Sequence, residues 1–459
     1  MTDPRTPGPQ TPDPPALFRT VRNQRLSVFQ AAAGDAATQQ LATAKGLAVA
    51  PGPMPALERA AGRAAALAAA AQPIPVQAPA DLSPQAWTCA RLGLKLLEAD
   101  LDGNAPARMA LEEALAGSRC DPRWAGTLVS YLRYFGPGGE RRRIPYITPA
   151  SAGPEVIALP DNARVALISD WGTGRRTARA VMADLTGHRP DVLIHLGDIY
   201  YAGTADECER NFARPIRDVF GAKRPPVFTL SGNHDMYSGG EGYYGLIARL
   251  NGGAWRQRSS FFCLRAIAWQ FVAMDTGLHA YDPFDTHPLT FLDPEEVDWI
   301  EARILEFPGR TILLSHHPLF SALARIGPGG PRGANPRLME QFGRFNATGQ
   351  VAAWFWGHEH TMALYAPHGG LARGRCIGCG AIPMLVGDGL YAPLPELHDP
   401  APLLPPRLGQ DGRVQDHGYA VVQLGGGGTA RAEYYGFGAR TGLLFSEDLT
   451  DGVVQPVSV

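Results

Sequence analysis

Short apolar runs recur along the C-terminal part of the chain, and a small polar motif follows each of them. Five such runs occupy residues 163–169, 192–196, 227–231, 311–314 and 351–356. Gly and Pro residues bound these runs, and helical spacing of apolar residues fills the stretches between them. Runs of this length and setting are typical of buried strands in a mostly parallel sheet. The pattern therefore predicts an α/β fold.

The polar motifs stand where the predicted strands end. They are Asp170-Trp171-Gly172, Gly197-Asp198-Ile199-Tyr200-Tyr201, Gly232-Asn233-His234-Asp235, Ser315-His316-His317-Pro318 and Gly357-His358-Glu359-His360. Ligands of an open α/β sheet collect at the carboxyl edge of its strands, so these side chains should share one small volume. Many oxygen and imidazole donors in one place are what two neighbouring cations need. The motifs therefore predict a two-metal site.

With these motifs the chain resembles the calcineurin-like metallophosphoesterases, and most of all the purple acid phosphatases. Most branches of that family open with Asp-x-His, whereas this chain has Asp170-Trp171-Gly172. Tyr201 stands three residues after Asp198, and the two motifs together form the purple acid phosphatase pattern. The resemblance implies a four-layer metallophosphoesterase sandwich, in which two mixed β-sheets are flanked by helices. It also implies a metal-dependent hydrolase that acts on phosphoric ester bonds.

The resemblance assigns ligands to both ions. Those of a first, ferric-type ion would be Asp170, Asp198, Tyr201 and His360, with Asp198 bridging to the second ion. Those of the second ion, a divalent Fe, Zn or Mn, would be Asp198, Asn233, His316 and His358.

Two of these assignments depend on particular residues. A phenolate is a hard anionic donor, so Tyr201 favours Fe(III) in the first position. His316 is preferred to His317 because the family's ligand is followed by one residue and then by Pro, as in His316-His317-Pro318. His317 is then left to face substrate or solvent.

The chemistry that the resemblance implies is attack by a metal-bridged hydroxide on a phosphomonoester. Even one bound Zn lowers the pKa of water to about 7, so such a hydroxide forms near neutral pH. His234, next to Asn233, would protonate the departing group as the catalytic acid. Arg325 stands in the loop where purple acid phosphatases have a histidine. A guanidinium binds phosphate through a planar fork, so Arg325 is a candidate substrate anchor, with a solvated loop charge as the alternative.

Two other functions remain open from the sequence. The same site could serve a phosphodiesterase, acting for example on a cyclic nucleotide. The chain could also be a non-catalytic, metal-binding regulatory protein whose site has decayed. Every ligand position of the family pattern holds a metal-ligating residue, and His234 is also present, so decay of the metal site is disfavoured.

The chain divides into three predicted regions. Residues 1–15 form a disordered, Pro-rich N-terminus, residues 16–150 a helical, all-α region, and residues 160–459 the catalytic domain. Within the helical region, Trp87 to Leu101 and Trp124 to Phe135 carry the strongest apolar helix faces. Near the C-terminus, strands predicted at 419–424, 429–435 and 443–445 would complete a second sheet. The loop Gly172-Thr173-Gly174-Arg175-Arg176 lacks the Walker spacing and is expected to start a helix.

The resemblance implies a small-molecule phosphate ester as the partner, and composition argues against other classes of partner. A formal charge of -2 argues against nucleic acid, and no uninterrupted apolar run of membrane-spanning length is present. Six scattered cysteines do not form a dense disulfide framework, and no secretory signal is evident, so a cytoplasmic location is expected. Cys376 and Cys379 have zinc-knuckle spacing, but no second pair matches them, which favours a structural role. The oligomeric state is left undetermined.

Overall fold

The computed structural model describes most of the chain beyond residue 84. The described ranges are residues 84–116, 121, 124–136, 144–282, 288–327, 332–386, 389–392, 394, 397 and 400–450, with isolated positions at 60, 63, 73, 75, 77 and 79–81. The predicted disorder of residues 1–15 lies outside these ranges, as does most of the Ala-rich segment before residue 73.

One of the two β-sheets has six strands and carries the first three motifs. Its strands are β2 (Arg164–Ile168), β3 (Val192–His195), β4 (Val227–Thr229), β12 (His417–Leu424), β13 (Ala430–Phe437) and β14 (Gly442–Asp448), in the order β14-β13-β12-β2-β3-β4. Strands β2, β3 and β4 are parallel, and the C-terminal strands extend the sheet in antiparallel fashion from β2. The three C-terminal strands therefore belong to the same sheet as the strands that precede the first three motifs.

The other sheet has eight strands and carries the last two motifs. Its strands are β1 (Ile157–Ala158), β5 (Phe262–Arg265), β6 (Trp269–Ala273), β7 (Arg310–Leu314), β8 (Val351–Trp356), β9 (Met362–Tyr365), β10 (Gly374–Ile377) and β11 (Leu403–Leu404), in the order β1-β5-β6-β7-β8-β10-β9-β11. Strands β6, β7 and β8 are parallel, while β5 and β9 run antiparallel to their neighbours. Both sheets are therefore mixed.

The helices of the described ranges fall into three groups along the chain. In the N-terminal part they are α1 (Pro84–Leu101), α2 (Ala105–Leu115), α3 (Trp124–Phe135) and α4 (Pro149–Ala152). Those beside the six-stranded sheet are α5 (Arg176–Thr186), α6 (Ala205–Glu207), which continues as a π-helix at Cys208–Ala213, α7 (Arg214–Phe220), α8 (Asn233–Met236) and α9 (Glu241–Leu250). Those beside the eight-stranded sheet are α10 (Pro294–Leu305) and α11 (Pro336–Asn346), and short 3₁₀ turns occupy Gly221–Lys223 and Gly253–Trp255.

Three hydrophobic clusters show the layering. A central cluster joins the facing sides of the two sheets, for example Val165 and Ile194 of one with Phe271 and Phe355 of the other. A second cluster lies between the eight-stranded sheet and α10 and α11, and a third lies between the six-stranded sheet and α5. Helix, sheet, sheet and helix thus form four layers, which confirms the predicted fold class.

By its contacts the chain divides into two compact units, residues 1–95 and 96–459. In the first unit, Trp87 is fully buried and its indole donates to the carbonyl of Pro75 at 3.0 Å. Helices α2 and α3 belong to the second unit, although the sequence assigned them to an N-terminal region that ends at residue 150. They pack with the catalytic part because Glu113 of α2 accepts hydrogen bonds from the backbone and hydroxyl of Thr177.

Candidate metal centre

One corner of the site lies where β2 and β3 end, beside the turn after β8. The hydroxyl of Tyr200 donates toward Oδ1 of Asp170 at 2.9 Å and Oδ2 of Asp198 at 3.2 Å. The same hydroxyl lies 3.1 Å from Nε2 of His360. Nε2 of His360 is also 3.4 Å from Oδ1 of Asp170. Two carboxylates, a phenol and an imidazole thus meet at one point.

Second contacts orient these carboxylates. Oδ2 of Asp170 accepts from the Ser169 hydroxyl at 2.7 Å and from the backbone N–H of His358 at 2.9 Å, which turns Oδ1 toward the cluster. Oδ1 of Asp198 accepts from the backbone N–H of His234 at 3.0 Å, which turns Oδ2 inward. Groups that hold metal ligands in this way fix their direction before an ion binds.

The tyrosine hydroxyl in this corner belongs to Tyr200, whereas the hydroxyl of Tyr201, the predicted ligand, lies outside it. The Tyr201 hydroxyl donates a short hydrogen bond to Asp121 and accepts one from Nη2 of Arg175 at 3.1 Å. Both residues lie in the turn that follows β3, and only the Tyr200 hydroxyl faces the cluster. The spacing from Asp198 identifies a position in the chain, but it does not determine which way the ring at that position points.

A second corner is built from Asn233, His316 and His358. Oδ1 of Asn233 lies 3.2 Å from Nε2 of His316 and 3.0 Å from Nδ1 of His358. The Asn233 amide N–H donates to the Tyr237 hydroxyl at 2.6 Å, which fixes its oxygen toward the imidazoles. Nδ1 of His316 lies 2.9 Å from the carbonyl of Leu196 and Nε2 lies 3.4 Å from Oδ2 of Asp198. A carbonyl can only accept, so Nδ1 carries hydrogen and Nε2 is directed at Asp198 and Asn233.

His317 joins this second corner. Donor atoms of His316, His317 and His358 all lie within 4.8 Å of one another. Its Nδ1 is 3.1 Å from the Thr276 hydroxyl, which also accepts from the backbone N–H of His317 at 3.0 Å. Nε2 of His317 is buried and has no hydrogen-bond partner among the described residues. A buried polar nitrogen without a partner is unusual, and its place beside His316 and His358 points to a ligand or substrate group.

Backbone conformation sets the site apart. Five non-glycine residues in the described ranges have a positive φ, and four of them are Asp170 at 55°, Asp198 at 74°, His358 at 70° and His360 at 50°. This region is uncommon for residues with a Cβ, and each instance costs roughly 1–3 kcal/mol. Such strain clusters at functional sites, because packing there holds the chain in one conformation.

The glycines of the motifs allow close approach to these residues. A Cβ on Gly232 would collide with the carboxylate of Asp198, and one on Gly357 would collide with the side chain of Ser169. Glycine is required at both places because the backbone passes directly against the side chains of the cluster, which include Asp170 beside Gly357 and Asp198 beside Gly232.

Burial and charge perturb the titration of the cluster. Burial acts to raise the pKa of Asp198, but the imidazoles of His316 and His234 outweigh it and hold that pKa well below its usual value. Burial acts to lower the pKa of His316, yet the carboxylate of Asp198 raises it to about 9. His358 lacks such a close carboxylate, so burial lowers its pKa to about 3. In the protein without ions, a proton on His316 therefore balances the negative charge of Asp198.

His234 stands at the rim of the cluster. Its Nδ1 donates to the carbonyl of Tyr201 at 2.7 Å, and its Nε2 lies 3.9 Å from Oδ2 of Asp198. The side chain keeps 12% exposure, so it can reach a molecule that enters from solvent. Burial lowers the pKa of its imidazole. The neighbouring Asp235 binds the backbone N–H groups of Asp198, Ile199 and Gly232 and thereby fixes the strand ends.

Other candidates lie apart from the cluster. Arg325 is exposed, four residues after Ser321, whose hydroxyl contacts Glu359 between two of the predicted ligands. His195 is buried within β3 against the Thr229 hydroxyl at 3.0 Å, as expected of a core residue. Cys376 and Cys379 are buried free thiols. Arg175 precedes α5, which begins at Arg176, so the Gly-rich loop starts a helix as predicted.

The residues present fit a pair of cations. One group of donors, Asp170, Asp198 and His316, lies within 4.8 Å, and the three histidines form a second group that shares His316. Carboxylate, phenol, amide oxygen and imidazole are ligands that iron, zinc and manganese accept. Nine-tenths or more of Asp170, Asp198 and His316 is buried, and charges in such a place need opposite charges to be stable.

Carboxylates and imidazoles at the carboxyl ends of parallel strands are suited to binding metal ions. Residues 163–362 match the family model described as calcineurin-like phosphoesterase. This part of the chain is therefore a calcineurin-like phosphoesterase domain, and the family supports hydrolysis of phosphoester bonds. No curated protein gives a significant match.

Several solved structures are similar to the chain at low identity. A purple acid phosphatase, PPD1 of yellow lupin (Lupinus luteus), shares 15% identity over 65% of this chain and 54% of its own, with a TM-score of 0.40. GAP50, the anchor in the inner membrane complex of Plasmodium, shares 14% identity over 62% of this chain and 88% of its own, with a TM-score of 0.43. A conserved Streptococcus pneumoniae protein described as a predicted phosphoesterase shares 10% identity over 62% of this chain and 97% of its own, with a TM-score of 0.27. The chain thus spans about half the length of the lupin protein, and scores at this level carry no inference about activity.

Proposed function

We propose that this protein is a dinuclear-metal phosphomonoesterase with a purple acid phosphatase-like site. The observation that carries the proposal is the convergence of metal-ligating side chains from five strand ends, among which Asp170, Asp198, His358 and His360 have a positive φ. Their chemistry suits two cations a few ångströms apart. A site built only to stabilise the fold would not need four residues held in an unfavourable backbone conformation.

The proposed ligands fall into two sets that share Asp198. The first set is Asp170, Asp198, Tyr200 and His360, and the second is Asp198, Asn233, His316 and His358. Tyr200 replaces Tyr201 in the first set because its hydroxyl contacts three other members. A phenolate donor favours Fe(III) there, with a divalent Fe, Zn or Mn in the second set.

Bound cations would lower the pKa of a shared water and neutralise charge on the phosphoryl oxygens. The protein's own groups supply the remaining steps. The Tyr201 carbonyl fixes hydrogen on Nδ1 of His234, so its Nε2 is the nitrogen that delivers a proton to the leaving oxygen.

His317 is proposed to bind the phosphate next to the second set. The Thr276 hydroxyl accepts from the backbone N–H of His317, so its own hydrogen is available to Nδ1 of the ring. With Nδ1 accepting, Nε2 carries hydrogen and can donate to a phosphoryl oxygen. Arg325 is proposed as a second, more peripheral anchor, since a guanidinium in the loop after Ser321 would add a charge-assisted contact.

The location of the protein stays a prediction. Within the described ranges, every helix is too short or too polar to cross a lipid bilayer. Cys89 is disulfide-bonded, whereas Cys208, Cys263, Cys376 and Cys379 are free. Disulfides are rare in reducing compartments, so this bond weighs against the predicted cytoplasmic location.

The proposal is tested by metal analysis and hydrolysis together. The purified protein should hold two metal ions per chain and hydrolyse para-nitrophenyl phosphate faster than bis(para-nitrophenyl) phosphate. His358→Ala should lose the second ion and most of the activity, while His195→Gln, buried outside the ligand sets, should keep both ions. A chain that binds two ions and hydrolyses neither ester would support the regulatory alternative, and faster hydrolysis of the diester would support a phosphodiesterase.

A further inference from the structure

Helix α3 and Asp121, which precedes it, lie against the residue that orients His234. Asp121 is buried, although it belongs to the helical region that the family model does not cover. It accepts a short hydrogen bond from the Tyr201 hydroxyl. Nη2 of Arg175 lies 3.5 Å from the same carboxylate and 3.1 Å from the Tyr201 hydroxyl. The three side chains form a buried, charge-assisted network around the phenol.

The backbone of Tyr201 carries this network to the site. Its carbonyl accepts from Nδ1 of His234 at 2.7 Å and also from the Thr127 hydroxyl of α3 at 3.2 Å. Its backbone N–H donates to Glu207 at 2.6 Å. The position of the carbonyl sets both the tautomer of His234 and the direction of its ring, because a hydrogen bond is strong only when it is nearly linear.

The end of α3 supports the loop that carries His234. The ring of Tyr134 occupies the space where a Cβ on Gly239 would lie, three residues after α8 ends. Phe135 stacks on Tyr281 with ring centroids 4.9 Å apart. Asp121 therefore contacts this side of the site at the phenol, and α3 contacts it at the carbonyl and the loop.

We propose that Asp121 and α3 contribute to the active site, and that Asp121, Thr127 and Tyr201 are positioning residues that hold His234 for proton transfer. The inference rests on the proposed function, in which His234 is the catalytic acid. A displacement of a catalytic group by about 1 Å can cost on the order of a hundredfold in rate. The alternative is plain packing, in which these contacts stabilise the fold without favouring any chemical step.

The two roles are separated by the leaving group. Para-nitrophenolate departs without help from an acid, whereas an alkoxide needs a proton. We expect Asp121→Asn and Tyr201→Phe to lower kcat for an alkyl phosphate by about tenfold to a hundredfold, and for para-nitrophenyl phosphate by less than about threefold. Thr127→Val, which removes only the hydroxyl, should show the same selectivity to a smaller extent. Metal content should stay at two ions in each variant.

A matched control uses Glu113, which joins α2 to Thr177 without contacting Tyr201. Glu113→Gln should slow both substrates equally or leave both unchanged. A double-mutant cycle completes the test, since groups acting through one another are not additive. When it is added to His234→Gln, Asp121→Asn should lower kcat for the alkyl phosphate by less than about twofold.

Equal loss on both esters, or a full additional loss in the His234→Gln background, would overturn the positioning role. Loss of an ion in Tyr201→Phe would overturn it as well, because Tyr201 would then be a ligand. If His234→Gln impairs the alkyl ester but Asp121→Asn and Tyr201→Phe do not, this inference fails and the proposed function stands. If His234→Gln has no selective effect, the acid in the proposed function is wrong and both fail.

Discussion

Replacing one tyrosine hydroxyl at a time tests which ring belongs to the metal site. Tyr200→Phe removes the hydroxyl that lies 2.9 Å from Asp170 and 3.2 Å from Asp198. Tyr201→Phe is the matched change one residue away, at a hydroxyl that contacts Asp121 and Arg175. Both substitutions keep the aromatic ring, so packing changes little.

The magnitude follows from the contacts that are lost. In the metal-free protein, the Tyr200 hydroxyl has one hydrogen for two buried carboxylates. A hydrogen bond to a charged group is worth roughly 1.5–3 kcal/mol, so Tyr200→Phe should lower the free energy of unfolding by about 2 kcal/mol. With metal present the variant also lacks an anionic ligand. Loss of a group that only orients a ligand costs about tenfold to a hundredfold in metal affinity, so loss of the ligand itself should cost about a hundredfold or more.

The assay measures the visible absorption spectrum and the metal content of each variant. Iron-loaded wild type should show a tyrosinate charge-transfer band, which should disappear in Tyr200→Phe and persist in Tyr201→Phe. Elemental analysis after dialysis should show one ion lost only from Tyr200→Phe, and thermal unfolding of metal-free protein should show the stability change. A band that survives Tyr200→Phe but vanishes in Tyr201→Phe would refute the placement of the phenol and restore the assignment made from spacing.

Three further substitutions address other parts of the chain. His317→Ala should raise KM for a phosphomonoester about tenfold while two ions stay bound, and loss of an ion would instead make His317 a ligand. Arg325→Ala should raise KM with kcat unchanged, and an unaltered kcat/KM on every ester that is hydrolysed would remove Arg325 from the site. Glu447→Gln breaks a buried pair in which Arg375 donates two hydrogen bonds of 2.7 Å, and should lower unfolding free energy by about 3–5 kcal/mol at neutral pH. Burial acts to raise the pKa of Glu447, but Arg375 outweighs burial and lowers that pKa. The pair therefore stabilises the folded protein fully above the ordinary carboxyl pKa. The difference in unfolding free energy between wild type and variant should narrow as pH falls through the lowered pKa. A gap that is constant with pH would contradict this reasoning.

The sequence predicted those parts of the site that depend on local structure. Asp170, Asp198, Asn233, His316 and His358 each lie two to four residues after the end of a strand, so the strand end restricts where the side chain lies. Parallel strands within each sheet bring their ends to the same edge of that sheet.

The sequence could not predict what depends on side-chain direction or distant partners. Choosing between Tyr200 and Tyr201 required knowing which side of the turn faces the cluster. Asp121 lies 80 residues before Tyr201 in the chain, and nothing in its neighbourhood marks it as a partner of the site. Its signal, a single Asp before an apolar helix, is the same as that of an ordinary helix start.

The position of β2 within its sheet has a consequence for how the domain folds. This strand leads to Asp170, and it pairs with β3 on one side and with β12, at His417–Leu424, on the other. The family match ends at residue 362, before β10 and β12. A fragment that stops there would leave the edge of β2 unpaired, and open strand edges invite aggregation. The stretch recognised as the phosphoesterase domain is therefore not expected to be an independent folding unit, and a soluble fragment would need to extend through the C-terminal hairpin.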